Sequence, residues 1–230
     1  AMIATADSRD LVLMMSSKFR YVEDIVRAKA MIASGLLGDI VFFENKFCSR
    51  VDMRGRWNVQ PEISGGGVVI DNGTHSVDIA RYLLGPIQSI SLSEGKKIMG
   101  LEVEDTSILS FTTQKGVLGT IYLSWSLNVD QGGYIGIWGT DGRINIGWKD
   151  SQYQHNGHHE WISFGVGYNK VDAFRRLLEN FVDTVRGSAA PIIAPEDALA
   201  SVEVIEAAYA SAKTAAINVN GDKPWVSATS

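Results

Sequence analysis

Cysteine and proline are scarce in this sequence. Its 230 residues include a single cysteine, Cys48, and only five prolines. One cysteine excludes an internal disulfide and is typical of a reducing compartment, so we expect a cytoplasmic protein. The few prolines exclude a disordered proline-rich linker, and the 23 glycines indicate many tight turns instead.

Long apolar runs and clusters of basic residues are also missing. No apolar run reaches the roughly 18 residues that a membrane-spanning helix needs, and the first ten residues do not resemble a secretory signal. The 21 basic and 26 acidic residues give a net charge of -5, without the basic clusters of nucleic-acid-binding proteins. We therefore expect neither a membrane nor a nucleic acid as partner. The 45% apolar content predicts one large globular domain or two small ones.

The first part of the chain has both strand and helix patterns. The apolar run at 11–15 predicts a strand buried on both faces, and the apolar spacing at 21–35 predicts a helix. Residues 40–50 alternate as a strand does. One predicted face carries Val41, Phe43 and Phe47, and the other carries Glu44, Lys46, Cys48 and Arg50. The polar face is either solvated or, because several long polar side chains converge on it, a binding surface.

The later part of the chain predicts a sheet and then helices. Strand patterns follow one another from 87 to about 164, and helix patterns cover 171–187 and a segment from Pro195 to about Lys213. Asp141-Gly142 between two apolar runs predicts a hairpin. Together these elements predict an α+β fold, in which a mostly antiparallel open sheet has helices on one face.

The other face of this sheet needs a cover. It is predicted to carry Tyr122, Ser124, Tyr134 and Trp138. A partly aromatic outer face indicates burial against a second copy of the chain, so we expect a homodimer or homotetramer that forms through the sheet face.

Asp71, His75 and Asp78 form the strongest chemical pattern. Their i, i+4, i+7 spacing places all three on one face of a helix that begins near Asp71. A carboxylate one turn from an imidazole can orient the ring, and the imidazole can accept a proton from a hydroxyl near neutral pH. The alternative, which spacing alone favours, is an N-terminal cap at Asp71 and a hydrogen-bonded helix-start histidine. Glycines 65–67 allow the backbone to pass close to a ligand or to a neighbouring helix.

The segment SGGGVVIDNGTHSVDIARYLLG (64–85) resembles the signature of the GFO/IDH/MocA C-terminal domain. The shared features are three glycines, then Asp, Gly, His and Asp, and then a helix that ends in Gly. Residues 18–47, 138–146 and 181–212 resemble further segments of that domain in the same order. The resemblance implies an open sheet like that of the C-terminal domain of glyceraldehyde-3-phosphate dehydrogenase. It also implies an NAD- or NADP-dependent oxidoreductase that acts on a sugar, inositol or related polyol.

The resemblance also assigns roles to single residues. Asp71 and His75 match the active-site pair of the family, with His75 as the general base and Asp71 as its orienting partner. Lys46 and Arg50 are expected on the sheet face beneath the substrate. Trp57, in the loop before the glycines, is expected either to stack on a sugar ring or to cover the edge of the core. Asp78 is expected to be structural.

The segment HNGHHEW (155–161) is a second, weaker pattern. It contains His155, His158, His159 and Glu160. Such clusters can bind zinc, but the Asn-Gly pair favours a loop, and the family implies no metal role. We therefore expect no metal, and His158 is predicted to contact a sugar hydroxyl.

Two motifs of complete family members are missing from the sequence. A Gly-x-Gly-x-x-Gly turn would hold the pyrophosphate of the cofactor, and a Glu-Lys-Pro segment would supply a lysine for the hydride step. Neither is present, and Lys18 lacks the Glu-Lys-Pro context. The chain is therefore expected to contain no cofactor-binding residues. Residues 1–16 are predicted to be a remnant of a dinucleotide-binding domain, 17–217 a substrate-binding and oligomerisation domain, and 218–230 a tail.

Three explanations fit the missing motifs. The chain is a fragment of an ordinary enzyme, or half of a split enzyme, or a non-catalytic module for ligand binding or oligomerisation. The first is favoured because the sequence begins inside a secondary-structure element. Since hydride transfer requires a bound nicotinamide, we expect the chain to be inactive when alone.

Overall fold

The computed structural model describes residues 1–128 and 132–213. The helices are α1 (Met2–Asp7), α2 (Glu23–Ala33), α3 (Pro61–Ser64), α4 (Thr74–Leu84), α5 (Lys170–Val185) and α6 (Pro195–Ala212). The strands are β1 (Ile40–Cys48), β2 (Ile87–Glu94), β3 (Thr106–Thr113), β4 (Leu118–Ser124), β5 (Ile135–Gly139), β6 (Gly142–Ile146), β7 (Ser151–His155) and β8 (Ile162–Gly165). Short 3-10 turns cover Lys18–Tyr21 and Trp57–Val59, and a π-helical turn covers Val69–Gly73.

One eight-stranded sheet organises the chain, in the order β2-β3-β4-β1-β5-β6-β7-β8. Strands β1 and β4 run parallel, and the other neighbours in this sheet are antiparallel. The hairpin predicted at Asp141-Gly142 joins β5 to β6. The sequence-based prediction of a mostly antiparallel sheet in an α+β fold is confirmed.

Alternation along the central strands separates a core face from an open face. In β4, Ile121 and Leu123 are buried, and so is Trp125 just after the strand. In β1, Phe43 and Phe47 are buried on the same side, where α4 contacts the strand. These side chains are inaccessible because the helices cover this face. The period of two in the sequence predicted that they share it.

Three predictions about single segments were wrong. The apolar run at 11–15 is not a strand: it pairs with none of the described strands, and Leu11 is 61% exposed. Val41 is exposed because the register of β1 shifts between Ile40 and Phe42, which removes it from the inward-facing series. Tyr134 is buried among other aromatic rings rather than on the outer face.

The three-glycine loop packs tightly against its neighbours. A Cβ atom on Gly66 would overlap the hydroxyl of Tyr209 in α6, and one on Gly67 would overlap the carbonyl oxygen of Glu104. The buried carboxylate of Glu104 accepts hydrogen bonds from the backbone N–H of Gly67 at 2.9 Å and of Val69 at 3.0 Å. The loop therefore uses its glycines for close approach to α6 and to the segment before β3, and approach to a neighbouring helix is one of the two predicted reasons.

The last described helix begins where the sequence predicts it. The helix predicted from Pro195 ends at Ala212, with proline at its start as expected. The predicted tail, 218–230, lies outside the described residues. Among the helices of the described part, none combines the length and apolar character that crossing a bilayer requires.

Substitution of Gly67 by alanine is expected to destabilise the fold. The added methyl group would overlap the carbonyl of Glu104, which belongs to the backbone and cannot rotate away. We expect a loss of about 1–3 kcal/mol in the free energy of unfolding, measured by urea denaturation. Glu62→Ala, a change at an exposed position in the preceding helix, is the control. Equal stability of the two variants would contradict the tight packing.

Candidate functional site

A cavity of about 450 Å³ opens between α4, the end of β1, the start of α5 and the turn at Lys18–Tyr21. Its polar lining residues are Lys18, Ser49, Asp71, Asn72, His75 and Lys170. Its aromatic lining residues are Phe19, Phe47, Trp148 and Tyr168. The predicted pair Asp71 and His75 thus lies in one cavity, as the catalytic interpretation requires.

The imidazole of His75 faces an amine. Its Nε2 atom lies 3.5 Å from Nζ of Lys18, and its ring packs edge-on against Phe19 at 5.5 Å between centroids. Lys18 was not predicted as a site residue because it lacks the Glu-Lys-Pro context. Its approach to His75 joins residues that are 57 positions apart in the sequence, and local context does not show such a contact.

Burial lowers the pKa of His75 to about 4, and the positive charge of Lys18 acts in the same direction, while Asp78 opposes them. The ring is therefore neutral at pH 7 and offers a nitrogen lone pair. The folded-state pKa lies below the ordinary value of 6.5. Below pH 6.5 the unfolded chain binds a proton that the folded chain does not, so His75 reduces stability as the pH falls from 6.5 towards 4.

Lys18 is itself perturbed by its surroundings. Burial lowers its pKa, and the nearby charge of Lys170 lowers it further, whereas Asp71 raises it. The ammonium group also lies 4.9 Å from the ring centroid of Phe19, at a distance typical of a cation–π contact. Lys18 therefore senses the charges of both Asp71 and Lys170 while it contacts the neutral ring of His75.

Asp71 does not occupy the position predicted for an orienting partner. Its carboxylate is exposed, and within the described residues it makes no hydrogen bond to His75. The chain between Val69 and Gly73 forms a π-helical turn rather than the α-helix that the i, i+4 argument assumed. This turn changes the angular offset between the two side chains. The orienting role of Asp71 stays a prediction, and its effect within the structure is electrostatic, on Lys18.

A buried ion pair joins the turn that carries Lys18 to the helix that carries His75. Arg20, two residues after the lysine, contacts Asp78, one helical turn after the histidine, at 2.5 Å, and both side chains are almost fully buried. Asp78 also accepts a hydrogen bond from Ser17. The structural role expected for Asp78 is therefore seen in its contacts.

Four aromatic rings form a wall beside the polar groups. Phe19 and Tyr168 stack at 5.3 Å, and Trp148 lies 5.9 Å from Phe47 and 5.5 Å from Tyr168. Each ring comes from a different segment of the chain, so no local pattern joins them. Such a wall can receive the apolar face of a sugar ring.

The other predicted substrate residues lie away from this cavity. Lys46 points to the open face of the sheet, where it pairs with Glu44 at 2.5 Å. Arg50, in the loop after β1, is exposed, and its backbone N–H donates to Asn128. Trp57 is 63% exposed in its 3-10 turn. The structure therefore does not bring these three side chains to His75.

The histidine-rich segment is a loop between β7 and β8, as the Asn-Gly pair indicated. His158 is exposed in it, and its ring faces that of His155 at 6.0 Å. His158 does not line the cavity beside His75. Across residues 1–128 and 132–213, no group of three or more His, Cys, Asp or Glu side chains is arranged to hold a metal ion.

The described residues do not fit a dinucleotide. Pyrophosphates bind at a glycine-rich turn whose backbone N–H groups are free. In the one loop here with three consecutive glycines, the N–H groups of Gly67 and Val69 are already bound to the carboxylate of Glu104. An anion entering this loop would meet a buried negative charge.

Comparison with known proteins gives a family and a fold. The family described as GFO/IDH/MocA C-terminal domain matches residues 25–145, more than half of the chain. D-apiose dehydrogenase from Rhizobium rhizogenes is 24% identical, over 92% of this chain and 65% of that protein. D-xylose 1-dehydrogenase [NADP(+)] from Haloarcula marismortui is 22% identical, over 93% of this chain and 61% of that protein. The chain therefore spans less than two thirds of the length of either relative.

A solved structure gives the same architecture. The crystal structure of aldose-aldose oxidoreductase from Caulobacter crescentus, complexed with glycerol, matches with a TM-score of 0.81 and 21% identity. The match covers 92% of this chain and 64% of the other. At this identity the match shows the fold.

Replacement of Lys18 by methionine is expected to raise the pKa of His75 above about 4. The change removes the positive charge near Nε2 and keeps the apolar stem, while burial continues to hold the pKa below 6.5. NMR titration of the ring protons of His75 measures the shift. Lys115→Gln, which removes the charge of an exposed lysine in the turn between β3 and β4, is the control. An unchanged pKa in Lys18→Met would contradict the proximity of the two groups.

Replacement of Asp78 by asparagine is expected to lower the free energy of unfolding by about 3–5 kcal/mol, because it leaves the buried guanidinium of Arg20 without its main partner. Urea denaturation measures the loss. Asp52→Asn breaks the exposed pair with Arg54 and is expected to leave the unfolding midpoint unchanged. Similar midpoints for both variants would show that the buried pair does not hold the site together.

Proposed function

This chain belongs to the GFO/IDH/MocA C-terminal domain family, and we propose that it forms the substrate-binding half of an NAD- or NADP-dependent oxidoreductase. The substrate is a sugar, inositol or related polyol, and one of its hydroxyl groups is oxidised. The observation that carries the proposal is the pair of a neutral imidazole and an amine, 3.5 Å apart, in a cavity with an aromatic wall. The dehydrogenase relatives, which act on D-apiose and D-xylose, support this substrate class.

The reacting hydroxyl lies between His75 and Lys18 in this proposal. With its ring proton on Nδ1, His75 presents the lone pair of Nε2 and accepts the hydroxyl proton as general base. The ammonium group of Lys18 donates a hydrogen bond to the same oxygen and stabilises the negative charge that develops there. Lys18 thus supplies a cation beside the reacting oxygen without belonging to a Glu-Lys-Pro segment.

Asp71 has a different role in this proposal from the one predicted from spacing. Its charge raises the pKa of Lys18 against the combined effect of burial and of Lys170. Asp71 therefore helps to keep Lys18 protonated. Asn72 and Ser49, which line the same cavity, offer hydrogen-bonding groups for the remaining hydroxyls of the sugar.

The cofactor supplies a hydride acceptor when it is bound, and NAD or NADP is the expected group. Because the three-glycine loop does not fit a pyrophosphate, we derive no hydride step from the described residues. They are assigned to the sugar and to the proton alone.

A non-catalytic ligand-binding or oligomerisation module is the second candidate. It is favoured by the missing Gly-x-Gly-x-x-Gly and Glu-Lys-Pro motifs. Half of a split enzyme remains a further form of the first candidate, in which a second chain binds the nucleotide. Formation of NAD(P)H by the full-length gene product separates an enzyme from a binding module.

We also propose that a second copy of the chain covers the open face of the sheet in a homodimer or homotetramer. Phe42 on β1 and Leu118 on β4 are register partners on this face, and they are 51% and 49% exposed. Ile108 on β3 adds a third exposed apolar side chain. Exposed apolar side chains on three adjacent strands of one sheet face are typical of an interface between subunits.

His75→Asn is expected to lower kcat of the full-length gene product by about 10²-fold or more, because it removes the general base. NAD(P)H absorbance with D-xylose and related pentoses as substrates measures the rate. His159→Asn, an exposed change in the loop between β7 and β8, is expected to retain the rate. A near-normal kcat in His75→Asn would remove the proposed mechanism.

The double change Phe42→Glu and Leu118→Glu is expected to convert the oligomer to a monomer, because it would bury two carboxylates in the proposed interface. Light scattering coupled to size-exclusion chromatography measures the mass. Ile98→Glu, at an exposed loop position away from the sheet, is the control. An oligomer of unchanged mass in the double variant would place the interface elsewhere.

A further inference from the structure

Two lysines reach the cavity from distant parts of the chain. Lys18 comes from the 3-10 turn before α2, and Lys170 is the first residue of α5. They are close enough for the charge of Lys170 to act on Lys18. Asp71 is the one carboxylate among the cavity-lining residues of the described chain. Two cations and one carboxylate leave a net positive charge beside a neutral histidine.

We propose that the cavity selects an acidic sugar or polyol, whose carboxylate lies between Lys18 and Lys170. The inference rests on the proposed function and names its substrate class. Lys170 is exposed and Lys18 is partly buried, and an anion bound between two like charges offsets their repulsion. Neither the reacting hydroxyl nor the aromatic wall explains the second lysine.

The charge balance favours a carboxylate over a phosphate. The excess in the cavity is a single positive charge, which one carboxylate neutralises, whereas a phosphate dianion would leave a negative excess. The N-terminus of α5, where Lys170 lies, adds the partial positive charge of a 16-residue helix. Within its first turn Asp172 is already paired with Arg175.

Binding of the carboxylate would also change the base. The charged groups near His75 are Lys18 in the 3-10 turn, Asp78 on its own helix, Asp71 in the π-helical turn and Lys170 on α5, and the cavity is also lined by the titratable side chains of Cys48 and Tyr168. An anion beside Lys18 offsets the positive charge that holds the pKa of His75 down. The acidic substrate would therefore strengthen the base that deprotonates it, and a neutral sugar would not.

The test compares two sugars that differ at one carbon. Isothermal titration calorimetry of the full chain with D-galacturonate and D-galactose, at low ionic strength, is expected to give about tenfold or more tighter binding of the acid. Lys170→Gln, an exposed change at a helix start, and Lys18→Met are each expected to reduce this preference several-fold. Lys115→Gln keeps it. NMR titration of His75 is expected to show a higher pKa with galacturonate bound than with galactose bound.

Several results would overturn the inference. Equal affinity for the two sugars would do so, as would a preference that survives both lysine substitutions. Tighter binding of glucose 6-phosphate than of galacturonate would show that the cavity prefers a phosphate to a carboxylate. These binding measurements need no hydride transfer, so they can fail or succeed independently of the activity test of the proposed function. If the chain prefers the acid but the full-length gene product forms no NAD(P)H, the proposed enzyme is overturned and this inference stands. If the full-length gene product oxidises neutral sugars and the chain has no preference for the acid, the reverse holds.

Discussion

The buried ion pair between Arg20 and Asp78 is the interaction on which the candidate site depends. It joins the turn that carries Lys18 to the helix that carries His75, and Asp197 of α6 contacts the same guanidinium. Charges that leave water are costly unless they meet a well-placed partner, so the arrangement has few alternatives. The ion pair fixes the turn relative to the helix, and the 3.5 Å distance between Nζ of Lys18 and Nε2 of His75 follows from this placement.

Periodicity was enough to predict most of the fold. Three local sequence signals were matched by the structure: the alternation in β4, the hairpin at Asp141-Gly142 and the proline at the start of α6. The apolar run at 11–15 shows the limit of such signals. A strand exists only with a hydrogen-bonded neighbour, and the composition of a segment does not reveal whether it has one.

The site was less predictable than the fold. The spacing of Asp71 and His75 placed them in one cavity, but the π-helical turn between them altered their offset, and no propensity scale predicts such a turn. Lys18 was missed because its contact with His75 is tertiary. Lys46 could have been corrected from the sequence alone. Its neighbour Phe47 faces the helices, so a period of two already directs Lys46 away from His75.

The hydrogen bonds to the carboxylate of Glu104 allow the opening of the three-glycine loop to be followed by hydrogen exchange. The amide protons of Gly67 and Val69 are held in a buried place, so deuterium from the solvent can replace them only when the loop separates from the segment that carries Glu104. Their exchange rates would then report how often the beginning of the histidine-bearing helix detaches. The exchange of these two protons therefore measures the rate at which the site opens in the absence of substrate.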